Sequence, residues 1–214
     1  GLAQKYGAVN SHVRLAPTPG HLHATRIAAG EANTLVGCDL IVAAGDESLS
    51  KLRSGFSQGV VCTDLTPTAD FARNPDWAID AEALQARLKA RMGDGVLLLE
   101  GQRLATALLG DPIAANMFML GAAWQRGQIP VQLAAIDRAI ELNGVAVAMN
   151  REAFLWGRRA AHDLAEIRDA PPVEIAVVEQ RDDQAVDDGD GRRLAGCEQP
   201  APNPTNDDDR HRQC

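Results

Sequence analysis

Between residues 111 and 159, apolar positions recur three and four apart and are interrupted where glycine, proline and asparagine fall, which predicts three consecutive helices. Asp111 suits an N-cap, and Pro112 suits the first helical position, which needs no N–H donor. Ile113, Met117, Leu120 and Trp124 make one apolar face, and Gly127 ends that helix. Pro130 opens the second helix, with Leu133, Ile136 and Ile140 as its stripe and Asn143-Gly144 as its stop. A third helix is expected after Asn150, carrying Phe154, Trp156, Gly157, Ala160, Ala161 and Leu164.

Upstream the pattern changes to short continuous apolar runs separated by polar turns, as strands buried on both faces of a parallel sheet require. Residues 40–44, 59–63 and 96–99 are the three predicted strands, and 48–52, 81–92 and 102–109 the helices between and after them. Residues 27–37 read as a short connecting helix or loop. Residues 12–15 read as a short strand that Pro17, Pro19 and Gly20 terminate. The fold expected is α/β: a Rossmann-like open parallel sheet with a C-terminal helical cap. Such sheets bind ligands at the carboxyl ends of their strands, here Asp46-Glu47, Thr63-Asp64 and Glu100-Gly101.

Composition narrows the function. The net charge is −8, which argues against a general binder of nucleic acid or of an anionic membrane. Residues 1–170 hold 16 basic and 18 acidic side chains and residues 171–214 hold 5 and 11, so the excess lies mostly in the tail. Apart from residues 173–178 that tail loses apolar periodicity, and a disordered segment over 169–214 is expected, with the folded domain over 1–168. Cys38, Cys62, Cys197 and Cys214 form no CxxC pair, so a cluster or zinc site built from this chain alone is not expected. Without a signal peptide or a spanning apolar run, the chain reads as cytoplasmic.

Several long phrases resemble one family. Gly1-Leu2-Ala3-Gln4-Lys5 and Ser11-His12-Val13-Arg14 are similar to a segment of 2-oxoacid:ferredoxin oxidoreductases, specifically the gamma-type domain of the long fused indolepyruvate enzymes. So are Asp70-Phe71-Ala72-Arg73-Asn74-Pro75-Asp76-Trp77, Asn116-Met117-Phe118-Met119-Leu120-Gly121 and Phe154-Leu155-Trp156-Gly157-Arg158-Arg159. The resemblance implies oxidative decarboxylation of a 2-oxoacid on thiamine diphosphate and Mg, with electrons passing through iron–sulfur clusters to ferredoxin and the acyl group leaving on coenzyme A. It places those cofactors in other domains, so none is expected on this fragment alone. The partners implied are the thiamine- and iron–sulfur-binding domains and ferredoxin, with no nucleic acid and no membrane. In the family a glycine-rich strand–turn–helix would precede Gly1, Tyr6 stands where a second glycine is usual, and the stretch after Asp169 departs from the pattern.

No catalytic constellation can be assembled from spacing, and no catalytic residue is assigned. Lys5, Ser11, His12 and Arg14 gather cationic and hydrogen-bonding groups that suit phosphates and carboxylates such as those of coenzyme A. A polar domain interface explains the same residues. Asn116, expected inside an apolar helix face, is a further substrate or coenzyme A contact candidate. His21 and His23 share spacing but lack a third ligand, and no metal site is assigned. A free-standing nucleotide-binding domain is disfavoured because these residues contain no phosphate-cradling glycine loop.

Overall fold

A computed structural model describes residues 9–65 and 79–173 of the chain. Within them β1 (Thr34–Gly37), β2 (Gln58–Cys62) and β3 (Val96–Leu99) form a parallel sheet in the order β1-β2-β3. Val36 lies opposite Val60, and Val60 opposite Leu97. Alternation along β2 divides the core between the two faces of the sheet. Val60 and Cys62 join Leu99 and the C-terminal helices on one face, while Val61 joins Leu40, Leu49, Leu88 and Met92 on the other. This is the Rossmann-like open sheet with helical elements that the apolar runs predict.

The first strand lies earlier than its sequence suggests. Residues 40–44 are not a strand: α1 (Leu40–Ala43) is a single helical turn, and β1 occupies the stretch expected to be a connecting helix or loop. A cap and a glycine outweigh the β-branched pair Ile41-Val42. Asp39 accepts a hydrogen bond from the Val42 amide at 3.0 Å, starting the turn. At Gly37 a side chain would collide with the Ala43 Cβ, so α1 can fold down directly onto the end of β1. α2 (Asp46–Lys51) follows, with Gly45 as its N-cap. The short strand expected at residues 12–15 is absent, and those residues run without regular structure.

α3 (Ala81–Met92) and α4 (Gly101–Leu109) agree with their expected bounds to within a residue. Asp111 does cap, accepting from the Ile113 amide at 2.8 Å, but it caps a 3-10 turn, Pro112–Ala114. That turn breaks the helical phase, leaving Ile113 66% exposed instead of in line with Met117. α5 (Ala115–Gln125) is apolar on two sides: Phe118, Met119 and Ala122 face the sheet core, while Met117, Leu120 and Trp124 pack with Ile136, Ile140 and Phe154. α6 (Leu133–Asn143) begins three residues after Pro130 and ends at Gly144 in a left-handed cap. α7 (Val147–His162) begins before Asn150, and α8 (Leu164–Arg168) returns Ile167 to the core.

The closest helix pair is α5 with α7. A Cβ on Gly121 would strike the Phe154 carbonyl oxygen, and one on Gly157 would strike the Phe118 carbonyl oxygen. The two glycines therefore set a reciprocal backbone contact, bordered by the Trp124 and Phe154 rings with centroids 6.0 Å apart. Trp124 is held from its other end, its indole N–H donating to the Val131 carbonyl at 2.7 Å. Of the tail expected over 169–214, residues 169–173 are described: Ala170 and Val173 pack against the core and the Val173 amide donates to the Leu108 carbonyl at 2.7 Å, while the rest lies outside the described residues.

Candidate functional site

At the carboxyl ends of the strands the carboxylates are occupied by structural work. Asp39 caps α1. Asp64 Oδ2 accepts from the Gln102 amide at 2.8 Å and from the Cys62 thiol at 3.2 Å, tying β2 to the start of α4. Glu100 pairs with Arg103 and, at 3.3 Å, with Arg168. Burial pushes the Cys62 thiol up to about 11 despite amide hydrogen bonds that pull the other way, and burial first and Asp39 second raise Cys38. Both thiols are thereby kept protonated, as inert buried cysteines are. Asp46 and Glu47, expected at a strand end, instead occupy the first turn of α2, and Asp46 pairs with exposed Arg87.

Polar groups converge elsewhere, where the arm of residues 9–31 crosses α2. The arm is fastened by its even-numbered side chains. Asn10 donates to Glu47 Oε2 at 3.3 Å, and its Oδ1 lies 3.0 Å from the buried Ser48 hydroxyl. His12 Nδ1 accepts the Ile27 amide at 2.9 Å, which assigns the proton of the neutral ring to Nε2. Arg14 donates to the Arg26 carbonyl at 2.8 Å and to Glu31 at 3.0 Å. The intervening apolar residues point outward: Val9, Val13 and Leu15 are 73%, 72% and 58% exposed. An extended segment with polar side chains inward and apolar ones outward inverts the usual rule.

A cleft of about 60 Å³ opens beside this crossing, walled by Asn10, Ser11, His12, Thr34, Glu47 and Lys51 over an apolar floor that includes Ile27 and Leu35. It holds a few waters or one small polar group, and is well below the several hundred Å³ of pockets that enclose a whole cofactor. Ser11 and His12 are thus brought together. Arg14 is half-buried on the same arm but outside the cleft, its charge turned to Glu31 and its Nε left without a partner. Lys5 lies outside the described residues. Asn116 sits in the first turn of α5 and is exposed, not inside an apolar face; α5 buries two sectors, and this position falls on neither. Lys51 is the residue that sequence reasoning misses. Its only sequence signal is a place one turn after Glu47, because the arm residues that line the cleft with it lie about 40 positions earlier.

A second cleft, of about 190 Å³, lies between α6 and α7 over Ile136, Ile140 and Phe154. In its wall Arg151 pairs with Asp137 and Glu141, both at 2.5 Å. The Arg151 guanidinium holds the Asp137 carboxyl below its usual range, and Arg138 with Arg151 does the same for Glu141. His21 is exposed and bonds to Thr18 at 2.6 Å. Among the described residues, no group of three or more His, Cys, Asp and Glu side chains could hold a metal ion, and no helix is long and apolar enough to cross a membrane.

An open parallel sheet with helices on both faces, a tightly crossed helical pair and a small polar cleft at its N-terminal arm define a Rossmann-like α/β domain. Its residues 1–160 match the family model for pyruvate ferredoxin/flavodoxin oxidoreductase. The chain belongs to that oxidoreductase family. Neither a curated protein nor a solved structure matches it.

Proposed function

We propose that this chain is the gamma-type domain of a thiamine- and iron–sulfur-dependent 2-oxoacid:ferredoxin oxidoreductase, indolepyruvate-directed and acting in the cytoplasm. The family match over residues 1–160 carries the proposal, and the phrases at the arm and at the α5–α7 pair support the indolepyruvate type. The reaction converts a 2-oxoacid and coenzyme A to an acyl-CoA and carbon dioxide, with two electrons going to ferredoxin. Thiamine diphosphate with Mg and the iron–sulfur clusters would supply decarboxylation and electron transfer from the other domains. The part of this chain is to pack on those domains and to offer Lys5, Ser11, His12 and Arg14 to coenzyme A. The cleft beside Ser11 and His12 fits one phosphate or carboxylate of that cofactor, not its whole length. Asn116, exposed at the start of α5, stays a contact candidate from another surface.

A second reading, a non-catalytic domain that holds the thiamine and iron–sulfur domains together, is favoured by one observation. The outward apolar row Val9, Val13 and Leu15 is what a covered interface provides. The two readings separate in the complete enzyme. Ferredoxin reduction is measured with indolepyruvate and with pyruvate, in the presence and absence of this domain. The proposal expects turnover to vanish without the domain while the remaining domains still associate. Equal turnover without it would end the catalytic assignment, and loss of association would favour the structural reading.

A further inference from the structure

We propose that the cleft between the arm and α2 is an oxyanion site, in which Lys51, His12 and Ser11 receive a single phosphate or carboxylate group. The argument begins with Lys51. Its side chain is half-buried in the wall of the cleft, and no acidic group stands within ion-pair distance of its ammonium among the described residues. Elsewhere on this domain half-buried cations have partners: Arg14 is met by Glu31, Arg151 by Asp137 and Glu141, and Arg158, without a carboxylate, lies over the Trp124 ring and donates to Gln125. A cation partly withdrawn from water without a counter-charge favours an anion that reaches it.

His12 supplies the second donor. Because Ile27 fixes Nδ1 as an acceptor, the ring N–H of the neutral imidazole is Nε2, which has no acceptor among the described residues. Ser11 lines the cleft too, and its hydroxyl carries no hydrogen bond among the described residues. The other polar groups of the wall are occupied. Ser48 donates to the Val42 carbonyl at 2.7 Å and Thr34 to the Gln128 carbonyl at 3.1 Å. The three groups without partners are therefore one cation and two neutral donors. A cation ligand would meet Lys51, and an apolar one would leave three donors unsatisfied, so an oxyanion is the class that fits. The volume of about 60 Å³ limits it to one such group.

Glu47 sets the affinity. Its carboxylate lines the same cleft and is only partly neutralised, through Asn10 at 3.3 Å. It opposes an incoming anion and keeps the site weak unless the anion is tethered to something held elsewhere. This inference deepens the proposed contact of Ser11 and His12 by naming the group bound. Its test needs no turnover, so the two ideas fail separately.

The experiment titrates the isotopically labelled full chain with inorganic phosphate and, separately, with acetate at constant ionic strength, followed by amide NMR. Saturable shifts at Ser11, His12 and Lys51 are expected, with a Kd on the order of millimolar. Lys51→Met should weaken binding at least tenfold, and Glu47→Gln should tighten it severalfold. Saturation by phosphate alone or by acetate alone still supports the site and identifies which group fits it. Shifts that never saturate, or saturation that persists unchanged in Lys51→Met, overturn it. Glu47→Gln gives an independent reading should Lys51→Met perturb the fold: unchanged affinity there also counts against an anion in this cleft.

Discussion

The α5–α7 pair and the N-terminal arm use opposite means to hold their places. Where α5 meets α7, side chains are removed: Gly121 and Gly157 let the backbones touch, and Phe118 and Phe154 fill the space beside them. Along residues 9–16 the contacts are polar and few, with Asn10, His12 and Arg14 turned inward and Val9, Val13 and Leu15 left to solvent. One region spends its sequence on its own stability. The other spends it on presenting a surface and a cleft. Phrases that carry the family resemblance fall on both, so resemblance alone does not separate scaffold from site.

This contrast can be broken by substitution. The largest loss is expected for Phe118→Ala, about 3–5 kcal/mol, because the side chain is fully buried between the sheet and the helices. Gly157→Ala should cost about 3 kcal/mol, because the Phe118 carbonyl occupies the space a methyl group needs and one helix must shift. Urea unfolding monitored by circular dichroism checks both, and a change below 1 kcal/mol in either would remove the α5–α7 pair from the centre of the account. Arg14→Ala, which frees the arm from Arg26 and Glu31, should cost only about 1 kcal/mol. Leu15→Ser should leave the stability of the isolated chain within about 0.5 kcal/mol, since the side chain is already in water. If that same change weakens association with the other domains of the enzyme, the outward apolar row is an interface.

Alkaline pH sharpens the comparison from the core side. Burial raises the Cys62 thiol from its ordinary value of 9.0 to about 11. The folded state thus retains a proton that the unfolded chain releases. The associated stability is whole below pH 9.0 and is lost as pH rises toward about 11. Cys62→Ala should flatten the fall in stability across that window, and iodoacetamide should leave folded Cys62 unmodified at pH 8. A slope identical in the two proteins would show that the thiol does not titrate with unfolding.

Much of the scaffold is legible in the sequence, because period and punctuation are local. Strand β3 and helices α3 and α4 fall where apolar runs and glycine turns put them, and Gly144 stops α6 as its position predicts. β1 is misplaced for a physical reason. Residues 40–44 have the composition of a buried strand, yet the Asp39 cap and the bare Cα of Gly37 allow a helical turn to bury the same residues against β2. Ile113 is misassigned because three residues of 3-10 geometry shift the phase before α5 begins. The cleft is the least legible part. Ser11 and His12 are visible as polar candidates, but Lys51 comes to line the same cleft only through a crossing of arm and helix that no short-range pattern encodes.

The most direct test of the central claim, that the arm and its cleft serve binding while the α5–α7 pair serves stability, is the KM for coenzyme A of the complete enzyme carrying Ser11→Ala together with Lys51→Met, measured alongside its Tm. The account predicts a KM raised at least tenfold with Tm unchanged. An unchanged KM with a lowered Tm would contradict it and return the arm to a purely structural role.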